Sequence, residues 1–142
     1  YNTLNVSTSK TWYFTDLVKG ELIYMVTIQN KRGNISITDD VITFLAGDAA
    51  TNCFGVKGMA GKAKESGLYQ LLRRESMSKG VSVTYNDDDS LSIKLHIVVD
   101  HGVNIVALCS SIMNEVSYKL REATGTAVKN VDVYVDSMVM TE

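Results

Sequence analysis

Gly55-Val56-Lys57-Gly58-Met59-Ala60-Gly61-Lys62 is the stretch whose reading decides the fold. Glycine at every third position lets a backbone turn tightly and pass close to another surface. Helical spacing on both sides makes the stretch read as a loop between two helices, with further lysine after it. Gly55, Lys57, Gly58, Gly61 and Lys62 of this loop, with Arg73 and Arg74 of the helix beyond, form the candidate contact site. A plainer reading of the same residues is that the glycines reverse the chain, Met59 fills the core and the lysines solvate the surface.

On the N-terminal side, Val26 and Ile28 alternate with polar neighbours, and Ile35 and Ile37 do so after Gly33, which predicts two short strands. Thr38 supplies a hydroxyl at a helix cap, and Asp39 and Asp40 place negative charge in the first turn, where the helix dipole favours it. Val41, Ile42, Leu45, Ala49 and Cys53 then form one apolar stripe that ends at Gly55. Residues 1–24 follow neither period. They contain the one tryptophan, Trp12, and read as an N-terminal extension to a domain spanning 25–142: a leader, an appended remnant, or an extra strand near Thr11 to Thr15. Lys10, Asp16, Lys19 and Glu21 interrupt the apolar stretch that a signal peptide needs.

On the C-terminal side, Leu68, Leu71, Leu72 and Met77 predict a shorter helix, stopped by Gly80, with Arg73, Arg74 and Lys79 on its polar side and end. Val81, Val83 and Tyr85 share one strand face, and Leu91, Ile93, Leu95, Ile97 and Val99 share another. His96 falls with Ser92 and Lys94 on the opposite side and reads as exposed. The connecting Asn86-Asp87-Asp88-Asp89 favours a tight turn; it lacks the central glycine and closing glutamate of a calcium loop. Asn104 to Thr124 is the strongest helix, with Ile105, Leu108, Cys109, Ile112, Met113, Val116 and Leu120 on one stripe and Gly125 at its end. Val131, Val133 and Val135 close the chain as a strand.

With the opening pair counted as one element, the order is β-α-α-β-β-α-β. Clean alternation in the strands predicts a sheet with one covered and one more open face. The expected class is α+β: two layers, a mixed sheet, and helices on one side.

A chain of 142 residues with 45% hydrophobic and 21% charged content and a net charge of −2 has the makeup of one soluble globular domain. No apolar run approaches the roughly 20 residues of a membrane span. Cys53 and Cys109 lie in apolar helical patterns and read as buried, reduced thiols, which points to the cytoplasm. His96 and His101 lack the zinc-protease spacing, so no metal is expected. The glycine stretch has one residue too many for a phosphate-binding loop, and Ala63 stands where the magnesium-holding hydroxyl belongs. A dinucleotide fingerprint needs its first two glycines closer together and a strand before them. No catalytic residues, cofactor or small-molecule substrate are expected.

A nucleic-acid module is the rival. Residues 55–58 and 58–61 both spell G-x-x-G, which between two helices clamps a nucleic-acid backbone in KH domains. Lys57, Lys62, Lys64, Arg73, Arg74 and Lys79 outweigh Glu65 and Glu75 around it, but the chain as a whole is acidic and only Tyr69 interleaves with these basic residues as a stacking surface.

Taken together, the helix 37–50, the Gly55-Val56-Lys57-Gly58-Met59 stretch, Lys79-Gly80-Val81, Val99-Asp100-His101-Gly102-Val103-Asn104-Ile105, and Thr124-Gly125 leading to Val131-Asp132-Val133-Tyr134-Val135 resemble the alkaline-shock protein family. The resemblance covers about residues 25–140. It implies a small cytoplasmic, non-enzymatic protein of cell-envelope homeostasis in Gram-positive bacteria, self-associating and, in some relatives, held at the membrane by a separate anchoring protein. The basic stretch would be the contact surface, and the open sheet face near Val98 and Tyr134 a second surface for self-association.

Overall fold

Alternation is longest in Leu91 to Asp100, and this strand organises the molecule. The computed structural model describes residues 10–12, 25–62, 69–71 and 78–140. In chain order these form β1 (Lys10–Trp12), β2 (Met25–Asn30), β3 (Gly33–Thr38), α1 (Asp39–Thr51), β4 (Val56–Lys62), β5 (Tyr69–Leu71), β6 (Val81–Tyr85), β7 (Leu91–Asp100), α2 (Ile105–Thr124) and β8 (Val128–Val139). The class is mixed α+β, as the sequence predicts, but the element order differs.

The main sheet is built on β7. β8 runs parallel along one whole edge of it, from Leu91 opposite Val128 to Asp100 opposite Val139. β6 and β4 share the other edge end to end, both antiparallel: Val81 to Tyr85 lie against Leu91 to Leu95, and Val56 to Met59 against Ile97 to Val99. A parallel pair needs a crossover, and α2 supplies it. Leu91, Ile93, Leu95, Ile97 and Val99 are completely buried in one cluster with Ile42, Ala46 and Ala50 of α1 and Ile112, Val116 and Leu120 of α2. Each such aliphatic side chain stabilises the fold by about 1.5–3 kcal/mol when withdrawn from water.

The glycine-rich stretch is a strand, not a loop. Its apolar residues face the interior, with Met59 and Ala60 at 0% and 1% exposure, and its glycines permit a bulge between Val56 and Gly58 where the register on β7 shifts. β4 then leaves β7, pairs with β5, and both touch β8. Ala60 and Val98 are buried outside the main cluster. The sheet face expected to be open near Val98 is therefore covered there, Val98 being only 2% exposed. Gly80 sits where β4 departs and β6 begins: a Cβ there would lie 2.7 Å from the Ala60 carbonyl oxygen and 3.1 Å from Met59 Cβ.

The second helix expected from Leu68 is likewise not found where it can be followed. Residues 69–71 form β5 and 78–80 a single 3₁₀ turn, while residues 72–77 lie outside the described residues. The amphipathic spacing of Leu68, Leu71 and Leu72 was too short to distinguish a helix from an edge strand.

β2 and β3 form the expected hairpin, from Met25 opposite Thr38 to Asn30 opposite Gly33. β1 adds to it antiparallel, from Lys10 opposite Ile28 to Trp12 opposite Val26. Val26 enters the main core, and Ile28 and Ile37 pack against it.

The helix boundaries follow their caps. Asn104 accepts from the Ala107 N–H at 3.1 Å, and Gly125, in the left-handed region, donates its N–H to the Arg121 carbonyl at 2.8 Å. Leu108, Ile112, Val116, Leu120 and Thr124 are the buried positions of α2, one per turn. Thr38 occupies the cap position of α1 but its hydroxyl makes no cap bond. α1 buries a broader face than its expected stripe, through Ile42, Thr43, Ala46, Gly47, Ala49 and Ala50, leaving Val41 half exposed. Small residues suit a helix wedged between α2 on one side and β3, β4 and β6 on the other.

Candidate functional site

The largest exposure of any apolar side chain among the described residues belongs to Phe54, at 99%. Local backbone chemistry puts it there. α1 closes with the Asn52 N–H donating to the Asp48 carbonyl and the Cys53 N–H donating to the Ala50 carbonyl, at 3.1 and 3.2 Å. The Gly55 carbonyl is then held by the Asp100 N–H at 2.9 Å. Gly55 has a φ of +100°, and a Cβ on it would meet Val103 Cγ1 at 3.0 Å. Only glycine passes this corner without strain, and the corner projects Phe54 into solvent.

Opposite the corner, Gly102-Val103-Asn104 leads from β7 into α2. The two turns enclose an open cleft of about 600 Å³, whose walls include Asn52, Cys53, Phe54, Val103, Leu108 and Glu115. A smaller one of about 280 Å³ continues along the α1–α2 seam, between Leu45, Asp48 and Ala49 on one helix and Lys119, Glu122 and Ala123 on the other, and Asn52 lines both. Val106, in the first turn of α2, is 77% exposed at the same end of the molecule.

The polar residues of this seam are charged. Asp48, Glu115, Glu122 and Lys119 line it, with the Lys119 ammonium 3.9 Å from Glu115 and the Asn52 amide donating to the Asp48 carboxylate at 3.5 Å. The last turn of α1 carries no basic residue, so the negative end of its dipole also faces this region. Burial, and then the nearby Glu115 charge, push the Cys53 thiol up from its ordinary range; burial does the same to Cys109. Both cysteines are free and half buried, and both stay thiols at neutral pH.

The residues singled out by sequence fare unevenly. Gly55 forms the corner and Lys57 is exposed on β4, but Gly58 is buried in the sheet and Gly61 is half buried beside β5. Lys62 ends β4; Arg73 and Arg74 lie outside the described residues. The G-x-x-G repeats run along a paired strand, so the helix-flanked loop that a KH clamp requires is not formed. Phe54 escaped the sequence reading because it falls outside the apolar stripe of α1. The signal was its position: an aromatic residue directly before a glycine that ends a helix.

His96 also differs from its expected exposed setting. Its Nδ1 lies 2.7 Å from Asp136 Oδ2, and its ring stacks on Tyr134 with centroids 4.8 Å apart. Asp136 comes from the far end of β8, and β8 bulges just there, between the residues opposite Ile97 and Val98. The cluster ties β8 to β7 on the face away from the helices. The Asn86–Asp89 segment is the turn expected: Asn86 donates to the Ser90 and Ser92 hydroxyls, and Ser90 donates to Asp88, which holds the Asp88 carboxyl below its usual range.

Among the described residues, no helix is long and apolar enough to cross a membrane. The model of the ASP23 family, described by a cell envelope-related function, matches residues 27–140. The chain is 33% identical to the uncharacterized protein YloU of Bacillus subtilis over 117 residues, which is 82% of this chain and 97% of that protein. It is 37% identical to the uncharacterized protein Spy1614 of Streptococcus pyogenes over 114 residues, 80% of this chain and 93% of the relative. No solved structure matches it. The expected resemblance to alkaline-shock proteins is thus met, and the chain belongs to the ASP23 family, whose function is related to the cell envelope.

Proposed function

We propose that this protein is a non-enzymatic binding or scaffold protein of envelope homeostasis, and that it engages its partner through Phe54 and the cleft beside it. The observation that carries this reading is the 99% exposure of Phe54 next to an open, partly apolar cleft. An aromatic side chain left in water forgoes about 2–3 kcal/mol that burial in a partner would recover. Gly55 holds it in that position at the expense of an unusual backbone angle. Self-association and docking to a membrane-anchoring protein belong to the same proposal. The 12-residue β8 supports the first, since among the described residues it pairs only with β7 and leaves its outer edge for a second copy.

The test is complementation. In a strain lacking the protein, wild type is expected to restore growth under envelope stress, and Phe54→Ser to fail while accumulating to the same level with an unchanged unfolding midpoint. Full rescue by Phe54→Ser would overturn the assignment of the cleft.

A further inference from the structure

We infer that a second copy of this chain occupies the cleft, and that the contact is reciprocal: Phe54 of each copy enters the cleft of the other across a two-fold axis. This rests on the reading of the cleft as the contact site and names what fills it. Phe54 stands at the rim of the cleft and is 99% exposed, so it does not fill the cleft of its own chain. Backbone geometry holds it out. The Asp100 N–H fixes the Gly55 carbonyl at 2.9 Å, and Gly55 keeps a φ of +100° with Val103 close behind it, where a Cβ would meet Cγ1 at 3.0 Å. A projection and a hollow side by side on one patch suit a two-fold contact, in which the same patch must complement itself. Had they lain on opposite sides of the molecule, the same contact would build an open chain of copies.

Charge agrees with an uncharged occupant. Among the described residues, Glu115 is the one charged residue in the wall of the larger cleft, and Lys119 of the same chain already lies 3.9 Å from it. The other polar walls, Asn52, Asn104 and Ser111, are neutral. Groups beside a two-fold axis face their own copies, so a cluster of one charge there would repel itself, whereas amides and a hydroxyl do not. A phenyl ring needs no counter-ion and packs on Val103 and Leu108. Area sets the strength. A buried aromatic side chain covers about 150–250 Å², so two rings with the walls they meet come to roughly 600–1,000 Å². Val106, 77% exposed at the same end, adds to the rim. Stable complexes bury about 1,200 Å² or more, which places this contact among reversible ones, with a dissociation constant of roughly 10–100 μM.

The experiment is sedimentation velocity of the full chain over a concentration series that brackets that range. Wild type is expected to associate as concentration rises, and Phe54→Ser to weaken the association by more than about tenfold. Ser111→Arg, which leaves Phe54 in place and crowds an exposed wall of the cleft, should weaken it similarly, and Ile35→Ser on the β2–β3 hairpin should leave it unchanged. Each variant is expected to keep the wild-type unfolding midpoint. A photoreactive phenylalanine at position 54, in a mixture of unlabelled and isotope-labelled chains, should give mixed adducts that map to residues 52–53 and 102–111 of the other copy. Association undiminished by Phe54→Ser, or mixed adducts centred on β8, would overturn the inference. So would a wild type that stays monomeric throughout the series; if Phe54→Ser still fails to restore growth in that case, the cleft remains the contact site and only its occupant changes. Rescue of growth by Phe54→Ser would instead remove the site itself.

Discussion

At the scale of single residues, one glycine and one tyrosine set testable limits. Gly80 has no room for a side chain, because a Cβ would press on the Ala60 carbonyl at 2.7 Å, backbone that cannot swing away. Gly80→Ala is expected to cost about 1–3 kcal/mol in chemical denaturation, as overpacking does elsewhere. An unchanged midpoint would mean that Gly80 does not pass Ala60 and Met59 as described. Tyr85 donates its hydroxyl to Asp39 at 2.8 Å, and burial, with that bond and charge, raises its pKa well above the ordinary 10.0. A folded pKa above the unfolded one makes a contribution that is complete below the unfolded value and lost as pH rises toward the folded one. Stability should therefore fall above about pH 10, and Tyr85→Phe should flatten that fall in thermal melts. The sequence showed Tyr85 as a core-facing strand residue but not its partner, which lies 46 positions away in sequence.

At the scale of elements, the legible parts were those whose period and punctuation agree. α2 is flanked by Asn104 and Gly125, both of which cap it, and the prediction from Asn104 to Thr124 differs from the observed helix by one residue. β6 and β7 alternate cleanly around a polar turn, and their register follows. Asn104→Ala should lower stability by about 1 kcal/mol through the lost bond to the Ala107 N–H, a change readable as a shift in denaturation midpoint. What escaped was β4. Its two glycines and the Gly55 before it speak equally for a turn and for a strand passing close to its neighbours, and only the burial of Met59 and Ala60 separates the two. The same ambiguity moved the candidate site. Lysines on a flexible loop would gather into one patch, whereas on a paired strand Lys57 points to solvent while Gly58 is sealed in. His96 illustrates a related limit, since alternation assigns a face but not the Asp136 and Tyr134 that meet it there.

At the scale of the whole molecule, the fold gives each surface a distinct character. Helices and β7 bury a continuous aliphatic core, the far face of the sheet is tied by His96 and Asp136, and the α1–α2 end presents Phe54 beside an open cleft. Leu120→Ala, in the centre of that core, should destabilise the protein by about 2–5 kcal/mol and reduce its level in cells without altering the contact chemistry of what remains folded. Phe54→Ser should do the reverse. Under the proposed function, the exposed corner at Phe54 is where the protein meets its partner. The most direct test of that claim is photocrosslinking in living cells, with a photoreactive phenylalanine at position 54 and, separately, at position 35, where Ile35 is 51% exposed on the β2–β3 hairpin. The account predicts a discrete adduct from position 54 and none from position 35. A partner captured from position 35 and not from position 54 would contradict it.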